Sequence, residues 1–131
     1  MKRLLLTALI GILAFNAANA QTGSQNVFTP ISKYLQAGDC EKLSAWFADN
    51  LELDILGAVS NCSRNQGKLI MKDFFTDYTP KHFRIIHNGS KPPMNYAVGL
   101  LDAGGERFRI IIYVKTTGQY SCIEQLKVEK D

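Results

Sequence analysis

The sequence predicts an α+β domain, with three N-terminal helices packed on a curved, mainly antiparallel sheet. Three observations carry this. Apolar residues recur at helical spacing in three stretches between Thr29 and Tyr78. From His82 to Glu129 the chain reads as four strands separated by turn residues. A sheet must hide one face, and the amphipathic helices that precede it can cover that face.

Taken in order, Gln21 to Asn26 is polar and reads as a loose leader. Thr29-Pro30 reads as a helix cap followed by proline at the first helical position, where the missing N–H loses no hydrogen bond. Ile31, Tyr34 and Leu35 give that helix one apolar side, and Gly38 ends it. Asp39 caps the second helix, on which Cys40, Leu43, Trp46 and Phe47 share the packed side. Leu51 to Leu56 then alternates as a strand does, with Leu51, Leu53 and Ile55 on one face and Glu52 and Asp54 on the other. Ser63 and Gln66 fit a capping box that opens the third helix. Its packed stripe is Gly67, Ile70, Met71, Phe74, Phe75 and Tyr78. Gly67 costs about 1 kcal/mol of helix propensity relative to alanine, which a close approach to a neighbouring strand would explain. Thr79-Pro80 stops the helix, because the residue before proline avoids helical angles.

The four later strands are His82 to His87, Asn95 to Leu101, Glu106 to Thr116 and Gln119 to Glu129. The strongest turn between them is Asp102-Ala103-Gly104-Gly105, rich in residues that tolerate positive φ. The last three strands read as a meander, and a curved sheet around a long helix makes a cone with an interior.

Residues 1–20 read as a cleaved signal peptide. Lys2 and Arg3 supply the positive start, Leu4 to Phe15 the apolar run, and Ala18-Asn19-Ala20 the small residues at the cleavage positions. The run is short for a membrane span, which wants about twenty apolar residues. The expectation is therefore one domain, residues 21–131, secreted or periplasmic and without stable membrane insertion after cleavage. Loss of Lys2 and Arg3 brings the net charge of +3 down to about +1. The remaining basic residues are scattered, so the concentrated positive footprint that nucleic acid demands is missing. Cys40, Cys62 and Cys122 cannot all pair internally. They form neither a CxxC motif nor a zinc knuckle, and the spacing leaves open one bridge or buried thiols.

This order of elements resembles the cone-shaped fold shared by nuclear transport factor 2, scytalone dehydratase and ketosteroid isomerase. It is similar, more closely, to a family of secreted gut-bacterial proteins of uncharacterised function built on that fold. The matching stretches are Ile31 to Leu56, centred on Gly38-Asp39 and Leu43 to Ala48, then Asn61 to Gln66, Phe74-Phe75, Phe83 to His87 and Gly105 to Arg109. The resemblance implies the nuclear transport factor 2-like fold and secretion. It implies no activity and no cofactor.

Candidate sites follow from chemistry. An isomerase- or dehydratase-like pocket needs a carboxylate or histidine to move a proton and donors to steady an oxyanion. Tyr34 and Asp54 are the candidates, Tyr34 because it lies roughly where ketosteroid isomerase-like proteins place a pocket tyrosine. Asp54 alternates with Leu53 and Ile55, so it faces away from them and reads first as a surface charge. His82 and His87, five apart in one strand, are expected on opposite faces and do not chelate a metal together. A pocket for a small apolar ligand would draw on Tyr34, Trp46, Phe75, Tyr78 and Tyr96, unless those rings simply fill the core. A homodimer or other protein partner would use Arg109, Ile111, Tyr113 and Ile123 on an outer sheet face. The expected function is a secreted, non-catalytic binding domain for a small apolar ligand or a protein partner. The alternative is an enzyme using a pocket carboxylate and tyrosine.

Overall fold

The structure, a computed structural model, describes residues 27–131, so the signal-peptide reading of residues 1–20 and the polar leader lie outside the described residues. Helix α1 (Phe28–Ala37) starts earlier than the sequence predicts, with Val27 at the cap position and no side-chain cap. Pro30 therefore sits inside the first turn, where the backbone N–H has no helical partner in any case. Burial of Phe28 with Ile31 and Leu35 extends the helix past the Thr29 cap signal. Gly38 closes it in the left-handed conformation, at φ 66°.

Asp39 caps α2 (Cys40–Ser44) as predicted, accepting from the Lys42 N–H at 3.1 Å. The helix is shorter than its apolar spacing suggests. The Ile123 N–H donates to the Trp46 carbonyl at 2.6 Å, which draws Trp46 toward the sheet. Phe47 then opens β1 (Phe47–Ile55). Leu56 and Gly57, at φ 54° and 92°, form the two-residue turn into β2 (Ala58–Cys62). The sequence does not announce β2, whose residues are mostly exposed and carry no apolar alternation.

Helix α3 (Arg64–Asp77) has both halves of the predicted capping box. The Ser63 hydroxyl accepts from the Gln66 N–H, and the Gln66 side chain accepts from the Ser63 N–H, each at 3.2 Å. Gly67 faces β1 so closely that an added Cβ would lie 2.6 Å from Leu51 Cδ2 and 3.2 Å from the Phe47 ring. The close approach, bought with helix propensity, seats α3 on the sheet.

Four strands follow: β3 (Pro80–Lys91), β4 (Met94–Ala103), β5 (Glu106–Thr117) and β6 (Tyr120–Lys130). The sheet order is β2-β1-β6-β5-β4-β3. Every neighbouring pair is antiparallel except β1 with β6, which is parallel. The result is an α+β fold on a six-stranded curved sheet. Two helices, not three, precede its strands, and α3 enters after the β1–β2 hairpin. Helix α1 lies on β3, and α3 lies on β1. The Phe83 N–H donates to the Gln36 side-chain oxygen at 3.0 Å, tying edge strand β3 to α1. The inner face buries Ala97, Leu101, Phe108, Ile110, Ile112 and Val128 under the helices.

Two of the sheet's four register shifts decide which way the candidate side chains point. Along β3, Ile85 pairs with Gly99 and His87 with Val98, leaving Ile86 as an extra residue. His82, opposite Asp102, and His87, opposite Val98, consequently share the open face rather than lying on opposite faces. Along β6, Val114 pairs with Ile123 and Tyr113 with Gln125, leaving Glu124 extra. The bulge turns Ile123 inward, where it is fully buried beside Leu126 and Val128.

Candidate functional site

The face of the sheet away from the helices carries a half-buried apolar strip. Tyr96 lies directly opposite Tyr113, and Val98 directly opposite Ile111, with Leu100 continuing the row. The two tyrosine rings have centroids 6.3 Å apart. Tyr96 leans across β3 into the space that Gly89 leaves empty, and its hydroxyl is 3.1 Å from His87 Nε2. Charged groups border the strip. Arg107 bonds Asp102 and Arg109 bonds Asp131, each at 3.1 Å. Gln125 donates to Glu52 at 2.8 Å. Of the four predicted interface residues, Arg109, Ile111 and Tyr113 share this face. Ile123 does not, because of the Glu124 bulge.

The predicted ligand residues divide differently. Phe75 is buried, and Tyr34 and Tyr78 are half-buried against the core. Phe74, Tyr78 and Phe108 form a tight ring cluster with centroids 4.9–5.2 Å apart. Those rings fill the interior between α3 and the sheet. Tyr96 belongs to the opposite face, since its neighbours Asn95 and Ala97 are the buried ones and successive strand residues alternate. Trp46 stands apart from all of these. It lines a surface cleft of about 620 Å³ with Val27, Thr116, Gln119, Tyr120 and Ser121, at the β5–β6 hairpin. No sequence pattern assembles this cleft, because it joins the end of α2 to a hairpin some seventy residues later, and the β1–β6 pairing with its Ile123–Trp46 bond brings them together.

Asp54 accepts from the Gly57 N–H at 3.1 Å, so its carboxylate stabilises the β1–β2 turn. It pairs with Lys127 on the open side of the sheet, whereas Tyr34 packs under α1 on the other. The two cannot converge on one substrate. Among the described residues, no group of three histidine, cysteine or acidic side chains gathers as a metal site. No described helix is long and apolar enough to cross a membrane.

The three cysteines are free. Burial pushes all three thiols above their ordinary range, with Asp39 adding to the effect at Cys40 and Glu124 at Cys122. A raised pKa reduces the thiolate fraction at neutral pH, and the thiolate is the reactive form. Iodoacetamide should therefore label the native protein more slowly than a free cysteine. Labelling in denaturant should count three thiols, and a count of one would show a bridge that the structure lacks.

The family comparison agrees with this architecture. Residues 28–129 match the model of a domain of unknown function, DUF4783. The chain belongs to the DUF4783 family. Solved DUF4783 structures from Bacteroides ovatus and Bacteroides uniformis are similar to this chain at 21% and 18% identity. The first superposes with a TM-score of 0.75, over 79% of this chain and 94% of that one. The second superposes with a TM-score of 0.74, over 78% and 94%. An NTF-2-like protein of unknown function from Silicibacter pomeroyi has 14% identity and a TM-score of 0.64, over 88% and 98%. At such identities the likeness supports the fold alone. Among curated proteins, none matches the sequence. The DUF4783 domain thus has NTF2-like structural neighbours, and its job must be argued from its own surfaces.

Proposed function

We propose that this DUF4783 domain works outside the cytoplasm as a non-catalytic binding domain, through protein contact on the open face of its sheet. Its partner is a second copy of the chain. The observation that carries this reading is the apolar strip of Tyr96, Val98, Leu100, Ile111 and Tyr113, set in a charged border. An interface with an apolar centre and a polar rim has this composition. Charge favours self-association. Arg84 lies toward the β3 edge of the face, while Glu52 and Asp54 lie toward β1. A twofold axis running along the strands lays the basic edge of each copy over the acidic edge of the other.

Two other readings have less support. The interior aromatic rings contact one another, which leaves an apolar ligand little room among Tyr34, Phe75 and Tyr78. An isomerase-like reaction loses its anticipated pair, because Asp54 lies on the open side of the sheet and Tyr34 on the helix side. Sedimentation equilibrium tests the proposal. The wild-type domain should have twice the monomer mass at high micromolar concentration, and Ile111→Glu should have the monomer mass with an unchanged circular dichroism spectrum. A wild-type monomer at that concentration, or an Ile111→Glu dimer, defeats the reading.

A further inference from the structure

The cleft beside Trp46 differs in chemistry from the strip, and it lies on the other side of the sheet. None of its described lining residues is charged: Trp46 and Tyr120 give it aromatic walls, and Thr116, Gln119 and Ser121 give it hydroxyl and amide groups. The Asn95 side chain stands behind them. It is 6% exposed and lies opposite the buried Val114 on the inner face. It donates to Thr116 Oγ1 at 3.3 Å, and that oxygen lies 2.9 Å from Ser121 Oγ. Burying an amide is costly unless it is hydrogen-bonded. Here the buried amide fixes two hydroxyls at the margin of the cleft.

We infer that this cleft is a binding site for a neutral saccharide. A hexose ring has one face of C–H groups and a rim of hydroxyls, matching an aromatic wall beside fixed hydroxyl and amide groups. A charged ligand would find no counter-charge among the described lining residues. The volume lies inside the range of about 300–1,000 Å³ usual for small-molecule sites. Tyr120, 66% exposed, leaves its ring available for contact with a bound sugar. The inference is independent of self-association through the open face.

Trp46 is the chain's single tryptophan, so its emission reports directly on the cleft. Titration of the purified protein with maltose and with N,N′-diacetylchitobiose should give a saturable change with at least one of them, with a millimolar Kd. Tyr120→Ala removes an exposed side chain and should keep the melting temperature while weakening that binding about tenfold, equivalent to about 1.4 kcal/mol. Ser121→Ala should weaken it in the same direction. The inference is overturned if neither disaccharide gives a saturable change up to about 100 mM, far above a millimolar Kd. It is equally overturned if Tyr120→Ala binds as tightly as the wild type.

Discussion

Replacing Phe108 with alanine should lower the stability of the domain by about 3–5 kcal/mol, the usual range for a fully buried phenylalanine. Phe108 is 0% exposed, with edge-on contacts to Phe74 and Tyr78 at centroid distances of 5.2 and 4.9 Å. Truncation removes the ring's transfer free energy and both aromatic contacts, and it leaves a void between β5 and α3 that neither element can close alone. Against a total stability of about 5–15 kcal/mol for a domain of this kind, that loss approaches unfolding. Urea denaturation of the wild type and the variant gives the difference directly. A loss below about 1 kcal/mol would mean that the interior is loosely filled, since tightly packed sites do not tolerate such a truncation. Tyr34, Phe75 and Tyr78 would then enclose room for an apolar ligand.

Gly99→Ala should cost about 1–2 kcal/mol although it removes a glycine from a strand, because overpacking outweighs the gain. The Phe83 ring lies across Gly99, in the space a Cβ would take, and the Arg84 carbonyl oxygen would be 3.0 Å from that atom. Phe83 is itself buried at 6% exposure and cannot swing away without opening the α1–β3 contact. Rigidifying the unfolded chain returns only about 0.4–1 kcal/mol. A double-mutant cycle identifies the cause. In a Phe83→Ala background the same substitution should cost clearly less, because the ring is gone and only the Arg84 carbonyl still crowds the new Cβ. If Gly99→Ala is equally harmful in both backgrounds, the ring is not the reason for the glycine.

Much of this fold is legible wherever local chemistry decides the outcome. The Asp39 cap, the Ser63–Gln66 capping box and the Gly104-Gly105 turn all lie where the residues place them. Gly67 also has the close neighbour that its helix-breaking cost implies. The sequence misleads where a distant strand decides. Trp46 and Phe47 have helical spacing with Cys40 and Leu43, yet a backbone bond from Ile123 draws that segment toward β6. Ile123 alternates with Gln125 and Lys127 along the chain, but one unpaired residue, Glu124, inverts the phase on either side of it. The Ile86 bulge does the same to His82 and His87. A bulge has no signature in these residue types, so strict alternation carries the wrong face past it. The site suffers the same way: the open strip keeps three of its four anticipated residues, while the cleft depends on a tertiary contact that no local pattern announces.

The parallel β1–β6 pair has a temporal consequence. Glu52 and Gln125, bonded side chain to side chain, stand 73 residues apart, and β1 receives its second neighbour only when β6 arrives. Synthesis delivers the amino end first, so the earliest strand waits with one edge bare until the last has emerged. The sheet is therefore completed only once β6 is available, and a premature stop that deletes β6 strips β1 and β5 of a shared neighbour at once.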